Sequence, residues 1–147
     1  MFRLSGSSEP DGITFPRFKL KGKSNIEGYW SFEGVRRIIE NLCSNAVKYG
    51  DKKEVIEVTT EGAPESIFIS VNNKGTVIPE YEIPLLFDPY KRLDSAIESH
   101  QKGWGLGLTL VKGLTEAHGG TIKVESTDKH GTTFTIMLPM DARSKIV

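Results

Sequence analysis

Arg37-Ile38-Ile39-Glu40-Asn41-Leu42-Cys43-Ser44-Asn45-Ala46-Val47-Lys48-Tyr49 is the stretch on which the reading of this chain turns. At about 100° per residue, Val35, Ile38, Ile39, Leu42, Ala46 and Tyr49 fall on one stripe of a helix. Asn41, Asn45 and Lys48 form a polar stripe directly beside it. The edge of a face destined for burial is therefore polar. Carboxamide oxygens can hold a hard cation such as magnesium, and an ammonium can meet the phosphates that such a cation bridges. That combination suits a nucleoside triphosphate, whereas an ordinary amphipathic helix would turn such asparagines to solvent or bond them locally.

Downstream, Gly103-Trp104-Gly105-Leu106-Gly107-Leu108-Thr109 opens a second apolar-periodic run over residues 106–117. A glycine-rich turn thus precedes a helix N-terminus, where bare amides and the positive end of the helix dipole favour an anion. Alternating glycines also serve plain turns, so the weight lies in the pair of signals and not in either alone.

With these residues in hand, the chain resembles the ATP-binding catalytic domain of sensor histidine kinases, of the GHKL superfamily with its Bergerat fold, which also holds DNA gyrase and MutL. The resemblance runs from about Gly28 to Pro139. Gly28-Tyr29-Trp30-Ser31 is similar to the lead-in of some of these kinases, and the helix of Asn41 and Asn45 resembles the N box. Asn73-Lys74-Gly75-Thr76-Val77-Ile78-Pro79 is similar to the G1 box, and Leu86-Phe87-Asp88-Pro89-Tyr90-Lys91-Arg92 to the F box. The run from Gly103 to Leu108 resembles the G2 box, and His118-Gly119-Gly120 with Gly131-Thr132-Thr133-Phe134 the closing strand pair. Their order is the family's, which makes the resemblance specific.

Composition agrees with one compact domain. At 147 residues, 37% hydrophobic and 26% charged, the chain can bury a core as a single unit. Its 19 basic and 19 acidic residues balance, so nothing marks a nucleic-acid or membrane-surface binder. The single Cys43 excludes an internal disulfide framework and a cysteine-based metal site, and its position flanking the apolar stripe reads as a packed thiol. No apolar run approaches the roughly 18 residues of a membrane span, and the start of the chain lacks a signal-peptide pattern. A reducing, cytoplasmic setting is expected, with tethering of a longer protein to a membrane left open.

Along the chain, residues 1–12 read as a flexible leader or a remnant of a longer polypeptide, residues 13–139 as the catalytic domain, and residues 140–147 as a polar, frayed tail. An edge strand is expected over residues 13–20, around Pro16. Ser31 is a plausible N-cap for the first helix, which should stop at Gly50. Residues 54–60 and 66–71 are β-branched alternating runs that read as a hairpin, and residues 121–126 and 132–138 as a second. The expected fold is an α/β two-layer sandwich: a mixed, mostly antiparallel sheet of about five strands, covered on one face by about three helices. The polar stretch 93–102, between the F and G2 boxes, is implied by the resemblance to be a lid over bound nucleotide.

The resemblance also implies residue roles. Asn45 should place its oxygen on magnesium, Asn41 should contact the phosphates or a metal-bound water, and Lys48 should neutralise phosphate charge. Tyr49 should pack beside the nucleoside. Arg92 is a candidate for reaching the γ-phosphate with its guanidinium fork; with Asn41 and Lys48 it makes the expected catalytic set. Amides around Gly103, Gly105 and Gly107 should wrap the phosphates, with Leu106 and Leu108 in the same run. Phe87 should anchor the lid. Gly75 and Ile78 of the G1 box belong to the nucleotide site, and Thr132 or Thr133 should reach the base through water. Related ATPases activate water with a helix glutamate, and here that place holds Asn41. Glu40 lies roughly 140° from Asn45 around the helix and should face solvent. With no base near the γ-phosphate, transfer to a protein nucleophile is favoured over hydrolysis.

The G1 box departs from the family. The usual aspartate, which accepts from the adenine amino group, is Asn73, a form some members carry, and the second glycine is Val77. A neutral acceptor should cost on the order of 1 kcal/mol of affinity, and because an amide can also donate, rejection of guanine should relax. The phosphoacceptor motif is absent: none of the 3 histidines, His100, His118 and His130, is followed by an acidic residue. The resemblance thus implies a catalytic domain using ATP and Mg2+ that serves a histidine on a separate dimerisation domain and, through it, a response regulator. The alternative is a non-catalytic nucleotide-binding pseudokinase module, to which the altered G1 box points.

Overall fold

Ser31 starts the first helix. Its side chain accepts a hydrogen bond from the Gly34 amide at 3.0 Å, and helix α1 (Phe32–Tyr49) runs on until the Gly50 N–H closes its last turn on the Ala46 carbonyl at 2.8 Å. Such a cap contributes about 1 kcal/mol. Both limits are those expected from the sequence. The computed structural model describes residues 2–4, 17–22, 25–88 and 106–145.

Val35, Ile38, Leu42 and Ala46 of α1 are buried and Ile39 packs partly against them; each large apolar member contributes on the order of 2 kcal/mol by leaving water. They press on a sheet of five strands in the order β2 (Phe18–Gly22), β4 (Ile56–Gly62), β5 (Ser66–Asn73), β7 (Gly131–Pro139), β6 (Thr121–Thr127). β2 joins β4 in parallel and the other pairings are antiparallel, which makes the sheet mixed as expected. Alternation along β5 and β7 turns Ile67, Ile69, Val71, Phe134, Ile136 and Leu138 to the inner face, all buried beneath α1 and helix α2 (Leu106–Ala117). The result is the two-layer sandwich read from the sequence.

A 3-10 helix (Glu80–Phe87) runs into the first two residues of the F box, with Pro84 inside it removing one amide donor. It carries no periodic signature in the sequence. Two further features differ from expectation. Within the stretch read as a leader, β1 (Phe2–Leu4) pairs antiparallel with β3 (Ile26–Gly28) as a separate ribbon. The tail is not frayed over residues 140–145. The Tyr29 amide donates to the Met140 carbonyl at 2.8 Å, the Ala142 amide donates to the Tyr29 carbonyl at 2.9 Å, and Ala142 is buried. The tail is held because a small apolar side chain and main-chain partners are waiting after β3. The described part of the strand expected over residues 13–20 is β2, at the sheet edge. Among the described residues no helix is long and apolar enough to cross a membrane.

Candidate functional site

The polar stripe of α1 meets the start of α2. Asn41 donates from Nδ2 to the Arg37 carbonyl at 2.7 Å, which leaves its Oδ1 directed at Gly107, where a Cβ would stand only 2.7 Å from that oxygen. A side chain at 107 would push the Asn41 carboxamide out of this place. Asn45, one turn further along α1, is half-buried, and Lys48 in the last turn is exposed. Asn41 and the first turn of α2 are therefore brought together, with Asn45 one turn further along the same edge of α1.

At the end of α1 the G1 box closes alongside. Gly50 forms a bridge with Gly75, and the Asp51 amide donates to the Lys74 carbonyl. Tyr49, half-buried, gives this corner its main-chain oxygen, 2.7 Å from where a Cβ on Gly75 would lie. Asn73 ends β5 on the inner face at 5% exposure, and its Nδ2 lies 3.5 Å from the Lys74 carbonyl, too far for a bond that fixes the amide.

Thr132 stands directly opposite Asn73 on β7, also on the inner face and buried. Its hydroxyl meets Ser126 Oγ at 2.7 Å, and Ser126 Oγ accepts from the Ile78 amide at 2.9 Å. Thr133 falls on the opposite face, where Asn72 Nδ2 donates to its hydroxyl at 2.8 Å. Of the two threonines, Thr132 alone shares a face with Asn73. Strand register decides this, and single-sequence propensity carries no register. Ser126 was not among the residues singled out from the sequence; its only signal is its place as the third inward position on β6. Gly131 holds φ +77°, and a Cβ there would lie 2.2 Å from the Asn73 carbonyl oxygen, so the β6–β7 turn can come this close to β5 only through glycine.

At the other side of the cleft, Phe87 packs partly against the core and its carbonyl accepts from Thr109 Oγ at 2.9 Å. The end of the 3-10 helix is thereby tied to the first turn of α2, a tie that sequence reading missed. Leu108 is 6% exposed and belongs to the core, so only its main chain can face a ligand. Arg92, Gly103, Gly105, His100 and the expected lid over 93–102 lie outside the described residues, as does the side chain of Leu106.

Glu40 is exposed and paired with Arg36 at 2.7 Å, turned to solvent as expected. Burial pushes the Cys43 thiol up to about 11, so it stays protonated at neutral pH and is not a nucleophile. Among the described residues no three His, Cys, Asp or Glu side chains gather to hold a metal. The donor set instead fits a cation that arrives with phosphate oxygens and needs one or two protein ligands, and the half-buried Asn45 can supply one.

The family described as histidine kinase-, DNA gyrase B- and HSP90-like ATPases matches residues 32–142. The circadian input-output histidine kinase CikA of Synechococcus elongatus is 39% identical over 105 residues, 71% of this chain and 14% of CikA. Sensor histidine kinase CusS of Escherichia coli K12 is 39% identical over 105 residues, 71% of this chain and 22% of CusS. The chain thus spans less than a quarter of these relatives. In fold it is similar to the catalytic domain of histidine kinase ThkA, with a TM-score of 0.72 at 24% identity over 86% of this chain and 78% of that one.

Proposed function

Because the chain belongs to the histidine kinase-, DNA gyrase B- and HSP90-like ATPases, we propose that it binds Mg-ATP and donates the γ-phosphoryl group to a histidine on a separate dimerisation domain, of the same or another protein, in cytoplasmic two-component signalling. The observation that carries this reading is the Asn41 carboxamide lying against Gly107, which sets the polar edge of α1 beside the first turn of α2. In this reading Asn45 holds the metal, Asn41 and Lys48 meet the phosphates, and amides of Gly103, Gly105 and Gly107 wrap them. Arg92 reaches the γ-phosphate. Asn73 meets the base edge with Thr132, while Gly75, Ile78 and Tyr49 line the nucleoside. Magnesium, which Asn45 would hold, would offset the charge of the phosphates. The chain's own contribution is positioning and electrostatics.

Glu40 is spent on Arg36 at the surface, and Asn41 holds the place of the water-activating glutamate, which favours a protein nucleophile over water. The names of CikA and CusS as histidine kinases support the same direction. A second reading, a non-catalytic nucleotide-binding module, is favoured by the neutral Asn73 at the base position. One experiment separates them: the chain is incubated with a phosphoacceptor domain and radiolabelled Mg-ATP, alongside calorimetric titration of wild type and Asn45→Ala with and without magnesium. Label on histidine, with the magnesium-dependent part of binding lost in Asn45→Ala, is the expected result. Binding without transfer would favour the module, and no binding at all would defeat both readings.

A further inference from the structure

The first turn of α2 is held from two sides. Gly107 faces α1 through Asn41, and Thr109, about 200° further round the helix, reaches the other way, where its Oγ donates to the Phe87 carbonyl at 2.9 Å. A carbonyl can only accept, so the direction of this bond is fixed. Leu108 and Val111, buried in the core, set the rotation of α2. Phe87 is the last residue of the 3-10 helix, which packs chiefly on α2. The Asp88 amide closes that helix on the Leu85 carbonyl at 3.1 Å, and the Phe87 carbonyl, which a helix end leaves without an internal partner, is taken by the threonine.

The 3-10 helix ends at Phe87 and α2 begins at Leu106, so this one side-chain bond ties together the two points between which the chain runs from the F box to the G2 box. Arg92 follows Phe87 by five residues in the sequence. Five residues reach at most about 18 Å, so the place at which Phe87 is held limits where that guanidinium can go. Resting on the reading of the cleft as an ATP site in which Arg92 meets the γ-phosphate, we propose that Thr109 is a positioning residue that sets the preference for ATP over ADP. Its hydroxyl fixes the root of the chain that carries Arg92 against the same helix whose first amides face the phosphates. The two phosphates that ADP shares with ATP are served by Asn41, Lys48 and those amides, and they do not depend on the threonine.

The test titrates the full chain, Thr109→Val, Thr109→Ser, Arg92→Gln and the Thr109→Val/Arg92→Gln double variant with Mg-ATP and Mg-ADP by calorimetry. Wild type should bind Mg-ATP about tenfold tighter, the worth of one charge-assisted hydrogen bond. Thr109→Val, which keeps the shape and loses the hydroxyl, should bring the two nucleotides within about twofold of each other with Mg-ADP binding unchanged. Thr109→Ser should keep the preference, and the double variant should be no worse than Arg92→Gln alone, because the threonine acts through the arginine. An unchanged ATP-to-ADP ratio in Thr109→Val overturns the proposal while leaving the ATP-site reading intact, as does a wild type that binds both nucleotides equally. Parallel weakening of both nucleotides also overturns it, since that marks a merely structural role, and so does a loss in Thr109→Ser as large as in Thr109→Val. Should Thr109→Val fail to fold, Thr109→Ala, which leaves room for water at the Phe87 carbonyl, is read against the same outcomes. Wild type that binds neither nucleotide defeats the underlying reading, and the proposal falls with it.

Discussion

Nε2 of the buried His118 accepts the amide proton of Ser31 at 3.2 Å, and Nδ1 of the same ring lies 2.8 Å from the Leu114 carbonyl. With Nε2 accepting, Nδ1 carries the proton and donates it. The ring thus joins the C-terminal end of α2 to the N-cap of α1, while Asn41 against Gly107 joins the helices at the start of α2. The pair runs antiparallel, held at both ends of α2, and this sets how far the polar edge of α1 stands from the first turn of α2. His118→Ala would strand both main-chain groups and leave a cavity. A loss of about 2 to 4 kcal/mol is expected, read as a lower urea midpoint at unchanged slope. A variant as stable as wild type would show that the ring is not a clamp.

Gly107→Ala should act through a single contact. Its Cβ would lie 2.7 Å from Asn41 Oδ1, so the carboxamide must swing away or α2 must move. Overpacking of this kind costs about 1 to 3 kcal/mol, and Mg-ATP binding should weaken about tenfold, because the asparagine and the amides of α2 no longer share a cleft. Adding Asn41→Ala removes the obstacle. Stability should then return by about 1 kcal/mol while affinity stays low, a non-additivity that a double-mutant cycle measures.

What could be read from residues alone was the local part. The limits of α1 and α2, the capping by Ser31 and the two hairpins follow from periodicity and turn chemistry within short windows, and the asparagine stripe and glycine run lie inside those windows. The rest depends on pairing between distant segments. Ala142 fills the core only because Tyr29 offers it a main-chain partner, and nothing in the tail's composition announces that. Thr132 and Thr133 are equivalent by propensity, and register alone puts the first beside Asn73. The 3-10 helix escaped because Pro84 interrupts a segment without helical period.

Asn73→Asp would trade stability for affinity. A carboxylate at a position 5% exposed is poorly solvated in the empty cleft, so thermal stability without ligand should fall, by about 1 to 3 kcal/mol. A charged acceptor strengthens the bond to an adenine amino group, so Mg-ATP should bind several-fold tighter, on the order of 1 kcal/mol. Both shifts are measurable on one sample, by melting and by calorimetry. A variant that binds ATP no better than wild type would show that position 73 does not face the base.

Asp141 tests the tail. Its carboxylate accepts from Arg143 Nε at 2.9 Å and Nη2 at 2.7 Å, and from the Arg143 amide at 3.0 Å, while the guanidinium lies 3.7 Å from the centroid of the Tyr29 ring. These donors hold the carboxyl down from 3.8 to about 2. For a depressed acid, the stabilisation is present in full above the unfolded value of 3.8 and is lost as pH falls through about 2. Asp141→Asn should therefore be less stable than wild type at pH 5, and the gap should close as both are acidified towards pH 2. Because the pair is exposed, the gap should be small and should shrink in about 1 M salt. A difference that stays constant down to pH 2 would mean that the ion pair does not hold the tail against Tyr29, and that the burial of Ala142 alone does so.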